Sequence, residues 1–154
     1  MLRSNKFRSA VVALGFAAAG TIGTAALAQS VSSEIFVTVT SNEEALVNHD
    51  RVKFQTKGET TVRVQKLTFA PGSSTGWHHH PGLVIVAVAS GSVTLRDENC
   101  GASTTYGPGL PAGAVFFEGH DHPHVATSSG GAVVYATYVD PTATFRVNDP
   151  APCP

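Results

Sequence analysis

The sequence is poor in charged residues and in sulfur. Lys, Arg, Asp and Glu together make up 14% of its 154 residues, and it contains two cysteines, one methionine and one tryptophan. The ten basic residues do not outnumber the eleven acidic ones, so there is no surplus of positive charge to neutralise nucleic-acid phosphates. The composition therefore argues against nucleic acid as a partner.

The N-terminal segment, MLRSNKFRSAVVALGFAAAGTIGTAALAQS, has the order of a secretory signal. A basic stretch precedes an apolar run, and small residues lead to Ala26-Leu27-Ala28. This order predicts cleavage between Ala28 and Gln29. A membrane anchor is the alternative, but the apolar run is shorter than the ~20 residues that span a bilayer. We expect a signal peptide over residues 1–28 and a periplasmic or secreted domain over 29–154, free of the membrane after cleavage.

The two cysteines suit an exported protein. Cys100 and Cys153 are an even pair, and Cys153 lies in a proline-rich segment, DPAPCP, that would otherwise fray. A disulfide between them would close a loop of about fifty residues and contribute about 4 kcal/mol in the chain-entropy model. The alternatives are two free thiols or metal-binding thiolates, although neither cysteine has the spacing of a metal-ligand pair.

The remainder of the sequence predicts β-strands separated by turns. Glycine and proline pairs such as Pro81-Gly82 and Gly130-Gly131 mark the turns. A change of parity within TTVRVQKLTF predicts a bulge near Gln65 and Lys66, and only residues 42–47 favour a helix. Short strands with closely spaced turns indicate one all-β domain, a sandwich or a barrel. The predicted strands cover residues 33–40, 60–69, 83–89, 92–96, 114–117 and 132–139.

Six of the seven histidines lie in two short segments. The first, GWHHHPG, covers residues 76–82. In a strand, neighbouring side chains point to opposite faces, so His78 and His80 share one face and His79 takes the other.

The second segment, EGHDHPH, covers residues 118–124 and contains His120, His122 and His124. These can share a face if the segment is extended, although Pro123 disfavours a regular central strand. Imidazoles from two separate strands form a site suited to Zn, Cu, Fe or Ni. The alternative is a pair of solvated loops that titrate near pH 6.5. Two clusters in one small domain favour the metal site.

The spacing of glycines and histidines resembles the first sequence motif of the cupins, G-x5-H-x-H-x3,4-E-x6-G. The match falls on Gly72, His78, His80 and Gly91. The second motif is matched more loosely by residues 111–113 and His124. More narrowly, the chain resembles small exported bacterial cupins whose sequences read GWHxHPG. The resemblance implies an all-β, single-domain jelly-roll barrel (cupin) with a metal in its mouth, often as a homodimer.

The same resemblance implies that His78, His80 and His124 bind a divalent metal ion, which would be Fe, Mn, Zn, Ni or Cu. The position of the cupin glutamate is occupied by Val84, so the usual acidic ligand is missing. Three neutral ligands would leave the ion its full double charge, which favours an anionic substrate or a hydroxide.

The sequence does not identify the fourth ligand of this site. The fourth coordination position is vacant, is filled by water, or is occupied by His120 or His122, with Glu118 as a further candidate. Two functions therefore remain. One is a metal-dependent enzyme acting on a small molecule, by an Fe- or Mn-dependent oxidation or an isomerisation, with the reaction unassigned. The other is a non-catalytic periplasmic module that binds a small ligand or a metal.

Overall fold

The computed structural model describes residues 30–140 and 143–153, and this part of the chain contains thirteen β-strands and no helix. The predicted signal peptide and its cleavage between Ala28 and Gln29 lie outside the described residues. The strands are β1 (Val31–Ser41), β2 (Leu46–His49), β3 (Val52–Gln55), β4 (Thr60–Phe69), β5 (Ser73–Ser74), β6 (His78–His79), β7 (Leu83–Gly91), β8 (Val93–Asp97), β9 (Thr104–Tyr106), β10 (Val115–Glu118), β11 (His124–Ser128), β12 (Ala132–Asp140) and β13 (Val147–Asn148).

Two sheets form the body of the domain. One has the strand order β1-β4-β12-β7-β10, and the other has the order β13-β6-β11-β8-β9, with β5 beside β11. A buried apolar cluster that includes Val84, Phe116 and Val134 forms the core. The sheets pack as a barrel-like sandwich, which confirms the all-β prediction.

Strand β7 lies inside the first sheet, between β12 and β10. Its continuous apolar run, LVIVAVA, predicts a strand buried on both faces. In the structure Val84, Val86 and Val88 are buried, whereas Leu83 and Ile85 are half-buried. The difference arises because one face of β7 packs on the core while the other is only partly covered.

The bulge predicted near Gln65 and Lys66 is present beside Gln65 in the β1–β4 ladder, but the neighbouring strand carries it. Strand β4 pairs with β12 without a shift, and the irregularity lies in β1, where Phe36 is the extra residue. Because β1 is an edge strand with one neighbour in its sheet, it can accommodate an additional residue without disturbing a second ladder. The apolar residues of β4 therefore move from one face of a regular strand, at Val62 and Val64, to the other face, at Leu67 and Phe69.

The helix predicted over residues 42–47 is wrong. Strand β2 begins at Leu46 and pairs with β3 as a two-stranded hairpin, from Leu46 opposite Gln55 to His49 opposite Val52. The pairing partner, three to nine residues further on, decides the conformation here and overrides a weak local helix preference.

The exposed edge strand β1 carries large apolar side chains on the surface, among them Ile35, Phe36 and Val39. Pairing of two chains stays a prediction. Over the described residues, there is no helix with the length and apolar character needed to cross a membrane.

Cys100 and Cys153 form a disulfide with a Cα–Cα distance of 5.6 Å, and so the predicted pairing is present. The bridge fixes the end of a segment that we call the C-terminal tail, residues 143–153. Within this tail, β13 pairs with β6, placing Val147 opposite His79 and Asn148 opposite His78. The tail is therefore held directly against the first histidine segment.

Candidate metal centre

The two histidine clusters contribute to one buried group. One ring nitrogen from each of His78, His80 and His124 lies within 4.8 Å of the other two, and all three side chains are buried. Strands β6 and β11 are antiparallel, with His124 directly opposite His78. His79 points the other way, with its Nδ1 2.8 Å from Oδ2 of Asp149. The alternation inferred from the sequence therefore matches the structure.

Glycines at both ends of GWHHHPG allow the chain to take this path. Gly76 has a φ of 69°, in the left-handed region that favours glycine. A Cβ atom on Gly82 would lie 2.1 Å from the carbonyl oxygen of Val139, because the chain passes against β12 at that point. The turn residues that flank the histidines therefore set the position of the ligand strand.

Each of the three histidines is fixed by a hydrogen bond to the main chain. Nδ1 of His78 donates over 2.9 Å, Nδ1 of His124 donates over 2.8 Å, and Nδ1 of His80 makes a short contact of the same kind. Since a carbonyl oxygen only accepts, Nδ1 carries the hydrogen in each ring and Nε2 keeps its lone pair. The acceptors are the carbonyl groups of Gly76, His122 and Phe145, respectively.

Glu118 completes the group from strand β10. Its Oε2 lies 3.2 Å from Nε2 of His80, and its Oε1 lies 3.2 Å from Nε2 of His124. With Nδ1 protonated, each contact sets a nitrogen lone pair against a carboxylate oxygen, and Nε2 of His124 is buried without a hydrogen-bond partner. Such an arrangement requires a cation between the two atoms, either a proton or a metal ion.

The donor set fits a divalent metal ion. Around an ion with bonds of about 2.1 Å, neighbouring ligand atoms are separated by about 3.0 to 3.4 Å, which matches the contacts that Glu118 makes. Imidazole nitrogens and a carboxylate oxygen together suit Mn, Fe, Ni, Cu or Zn. The residues that would hold the ion are His78, His80, Glu118 and His124.

The electrostatics keep the site ready for a cation. Burial, with a smaller contribution from the positive charges of His124, Arg146 and His80 and against the hydrogen bond to Gly76, lowers the pKa of His78 to about 3. Burial by itself would raise the pKa of Glu118, but its close contacts with His124 and His80, which favour a proton or another cation beside the carboxylate, outweigh this and lower it to about 2. Burial lowers the pKa of His124, but Glu118 raises it above its ordinary value. At neutral pH the site therefore contains a neutral His78 and an ionised Glu118.

His120 and His122 lie outside this group. Both side chains are 71% exposed. Nδ1 of His120 donates to the carbonyl of Pro81, and its Nε2 lies 2.9 Å from Asp121. His122 pairs with Glu98 at 3.1 Å. Asp121 has a φ of 55°, so the chain turns between the two histidines and does not form the extended strand that would aim them inward.

A cavity of about 400 Å³ adjoins the histidine group. His78, His80 and Glu118 form part of its wall, and most of the remaining wall is apolar. The polar side chains that also line it include Gln65, Tyr138 and Arg146, together with four small hydroxyl residues, Ser30, Ser33, Ser74 and Thr75. Nε2 of Gln65 donates a hydrogen bond to the hydroxyl of Tyr138 over 3.0 Å.

Sequence reasoning missed the part played by the C-terminal tail. Phe145 supplies the carbonyl that fixes His80, and Arg146 reaches the cavity wall. The guanidinium of Arg63 lies 3.7 Å from the centre of the Phe145 ring, which packs the tail onto β4. In the sequence, the only indication of this role is that residue 146 is an arginine. Neither the pairing of β13 with β6 nor the cavity can be inferred from the sequence.

No protein-family model matches the sequence, and no curated protein matches it. Among solved structures, the DMSP lyase DddQ from Ruegeria pomeroyi DSS-3 is 18% identical with a TM-score of 0.49, over 56% of this chain and 42% of that one. An oxalate oxidase in complex with the substrate analogue glycolate is 19% identical with a TM-score of 0.47, over 56% and 45%. A conserved protein of unknown function from Streptococcus pyogenes is 14% identical with a TM-score of 0.46, over 70% and 77%.

The chain thus spans less than half the length of the lyase and of the oxidase. These likenesses assign no activity to the chain. Its two-sheet barrel and its buried group of three histidines have the arrangement that the sequence motifs implied. The structure is consistent with a cupin domain.

Proposed function

We propose that this chain is an exported metal-binding protein that acts on a small molecule at the centre formed by His78, His80, Glu118 and His124. The observation that carries the proposal is the orphaned Nε2 of His124, which is buried against a carboxylate oxygen in a group of three histidines. A divalent ion at that position would satisfy the nitrogen lone pairs and the carboxylate together. The disulfide and the lack of a membrane helix in the described part are compatible with export.

The cavity favours an enzyme over a closed structural site. A structural metal site is closed by its protein ligands, whereas a catalytic one keeps a position for substrate or water. His78, His80 and Glu118 all border the 400 Å³ cavity, so a molecule in it would lie next to the ion. When bound, the ion would supply Lewis-acid or redox chemistry, and the protein would orient the substrate and keep bulk water out.

The metal decides between the two candidate functions. Four protein ligands leave two positions free on an ion that prefers six ligands, such as Mn or Fe, and leave none on a tetrahedral zinc. The four-ligand set is therefore the observation that keeps a non-catalytic metal-binding module as the second candidate.

The test starts with the metal content of the mature, untagged protein isolated from the compartment to which it is exported. We expect about one metal ion per chain, lost in His78→Ala and His124→Ala. Absence of a stoichiometric metal in the wild-type protein would contradict the proposal. His49→Ala is the matched control, because His49 lies in the β2–β3 hairpin and not at the site.

Cobalt substitution then tests for an open position. Six-coordinate and five-coordinate Co²⁺ absorb visible light more weakly than tetrahedral Co²⁺, and an open position should let azide change the spectrum. We expect weak absorption that shifts with azide. A strong tetrahedral spectrum that azide leaves unchanged would favour the non-catalytic module.

A further inference from the structure

Arg146 places a positive charge on the wall of the same cavity. It belongs to the C-terminal tail, whereas the histidines come from β6, β11 and the segment after β6. Its Nη2 donates to the carbonyl of Thr75 over 2.7 Å, and its Nε donates to Oδ1 of Asn148 over 3.0 Å. Both partners are uncharged. A guanidinium has five N–H groups, so three remain beyond these two bonds.

Arg146 makes no ion pair with a carboxylate in the described part of the chain, although Glu118 and Asp149 are near enough to act on the pKa of its guanidinium. Glu118, the one carboxylate that lines the cavity, makes its contacts with His80 and His124 instead. An arginine remains charged at any physiological pH, so the cavity contains a cation that can accept an anion.

A metal ion would add to this positive charge. A divalent ion bound by three neutral imidazoles and one carboxylate retains one positive charge, which leaves the cavity with two together with Arg146. This step rests on the function proposed above. The weakly polar surroundings strengthen the attraction of both charges for an anion.

The rest of the wall favours an apolar molecule. Nine apolar side chains from the two sheets border the cavity, among them Val31 at the start of β1, Leu67, Phe69, Val93, Phe116 and Val134. A volume of about 400 Å³ is near the lower end of the range for small-molecule pockets, which is about 300 to 1,000 Å³. An inorganic anion alone would leave this apolar wall unused.

We propose that the cavity binds a small carboxylic acid with an apolar body, aromatic or short aliphatic, whose carboxylate pairs with Arg146 while the body lies against the apolar wall next to the metal. The planar guanidinium matches a carboxylate through two parallel hydrogen bonds. The hydroxyl of Tyr138 accepts from Gln65 and keeps its own hydrogen, which it can donate to a second oxygen of the ligand.

The proposal is tested by calorimetry on the zinc-loaded protein, where no turnover by redox chemistry can consume the ligand. Benzoate and hexanoate are the probes, and benzamide and hexanamide are their neutral counterparts of similar shape. We expect each carboxylate to bind at least about tenfold more tightly than its amide, since a hydrogen bond to a charged group is worth about 1.5 to 3 kcal/mol. Equal affinity for acid and amide would overturn the proposal.

Variants locate the binding group. Arg146→Gln should remove the preference for the acid, Arg146→Lys should retain part of it, and Arg51→Gln should leave it unchanged because Arg51 lies outside the cavity lining. An intact disulfide and an unchanged melting temperature check that the tail stays in place. An Arg146→Gln protein that keeps the full preference for the acid would contradict the assignment to Arg146.

Metal content, measured in the same samples, separates this inference from the proposed function. One zinc per chain without a preference for carboxylates would overturn the carboxylate site and leave the metal centre standing. Carboxylate binding that depends on Arg146 in a protein unable to bind metal would overturn the metal centre and leave the carboxylate site standing.

Discussion

Glu118 lies directly across from Val84 in the register between β10 and β7. Opposite residues of an antiparallel pair project to the same face of the sheet, so the carboxylate enters the barrel beside the position that the cupin motif gives to glutamate. Val84 is buried in the core, and Glu118, on the neighbouring strand, brings its carboxylate to 3.2 Å from Nε2 of His80 and of His124.

Exchanging these two residues is the most direct test of that relationship. Glu118→Val should weaken metal binding by about a hundredfold or more, because changes at the outer partners of a metal site alone cost about ten- to a hundredfold. The double variant Glu118→Val/Val84→Glu should recover a large part of the affinity, as the carboxylate returns to the same space. Competition with a chromophoric chelator measures both.

Glu59→Gln serves as the control for this exchange, since Glu59 is exposed in the loop before β4. Metal affinity that is unchanged in Glu118→Val would rule out Glu118 as a ligand.

His120 and His122 should be dispensable for metal binding. Both rings are 71% exposed and pair with carboxylates on the surface. His120→Ala and His122→Ala should therefore keep about one metal ion per chain, whereas His80→Ala should lose it. Elemental analysis of the three purified variants decides this, and loss of metal from either surface variant would restore that histidine to the ligand set.

The metal-free protein should become less stable as the pH falls from 7 to 4. The pKa of His78 is about 3 in the folded state, below its ordinary value of 6.5. The unfolded chain therefore takes up a proton that the folded one resists, and stability is lost as the pH falls from 6.5 towards 3. This loss is on the order of 3 kcal/mol at pH 4.

Two neighbours modify this profile. Glu118, with a folded-state pKa of about 2, adds a second loss as the pH falls below 4.5. The raised pKa of His124 acts in the opposite direction, because its stabilising effect is present at low pH and is lost as the pH rises through its folded value. Urea denaturation at a series of pH values in the presence of a chelator measures the sum.

The variant His78→Gln isolates the contribution of His78 and should flatten the profile between pH 6.5 and 4.5. The control is His49→Gln, a change at an exposed histidine in the hairpin. The same slope in wild-type and His78→Gln proteins would show that the burial of His78 does not govern the acid response.

Opening the disulfide should affect stability and the carboxylate site more than metal binding. Cys100 and Cys153 are 53 residues apart, so the bridge contributes about 4 kcal/mol in the chain-entropy model. The double variant Cys100→Ser/Cys153→Ser should melt at a lower temperature and bind benzoate more weakly, because Arg146 lies on the freed tail. The metal ligands are not on the tail, so the metal affinity should fall less.

Thermal unfolding and calorimetry of that double variant give both results. Loss of metal affinity as large as the loss of benzoate affinity would show that the tail acts mainly through the carbonyl that fixes His80.

The sequence predicted that His78, His80 and His124 lie together, the first two from local strand alternation and His124 from the resemblance to the second cupin motif. The alternation of a strand sets His78 and His80 on one face, and this holds whatever strand lies beside them. The role of Glu118 could not be found in the same way. It depends on which strand pairs with β7 and in which register, and both are decided by the packing of the whole sheet.

The errors have the same origin. The extra residue at Phe36 and the hairpin that begins at Leu46 are both set by pairing with a second strand, and residue preferences alone do not specify that partner. Arg146 was missed because its position at the cavity depends on the pairing of β13 with β6, and no sequence motif indicates that pairing.

The three carbonyl groups that fix the histidine rings belong to the backbones of Gly76, His122 and Phe145. A backbone acceptor is present whichever side chain its residue carries, so substitutions that spare the local backbone path leave the ring orientation intact. His122 illustrates the point, since its side chain is exposed while its carbonyl holds His124. Side-chain substitutions that keep the backbone path at these three positions therefore leave the orientation of the histidine rings unchanged. Residues of the cavity wall can likewise be substituted without removing the acceptors that hold the rings.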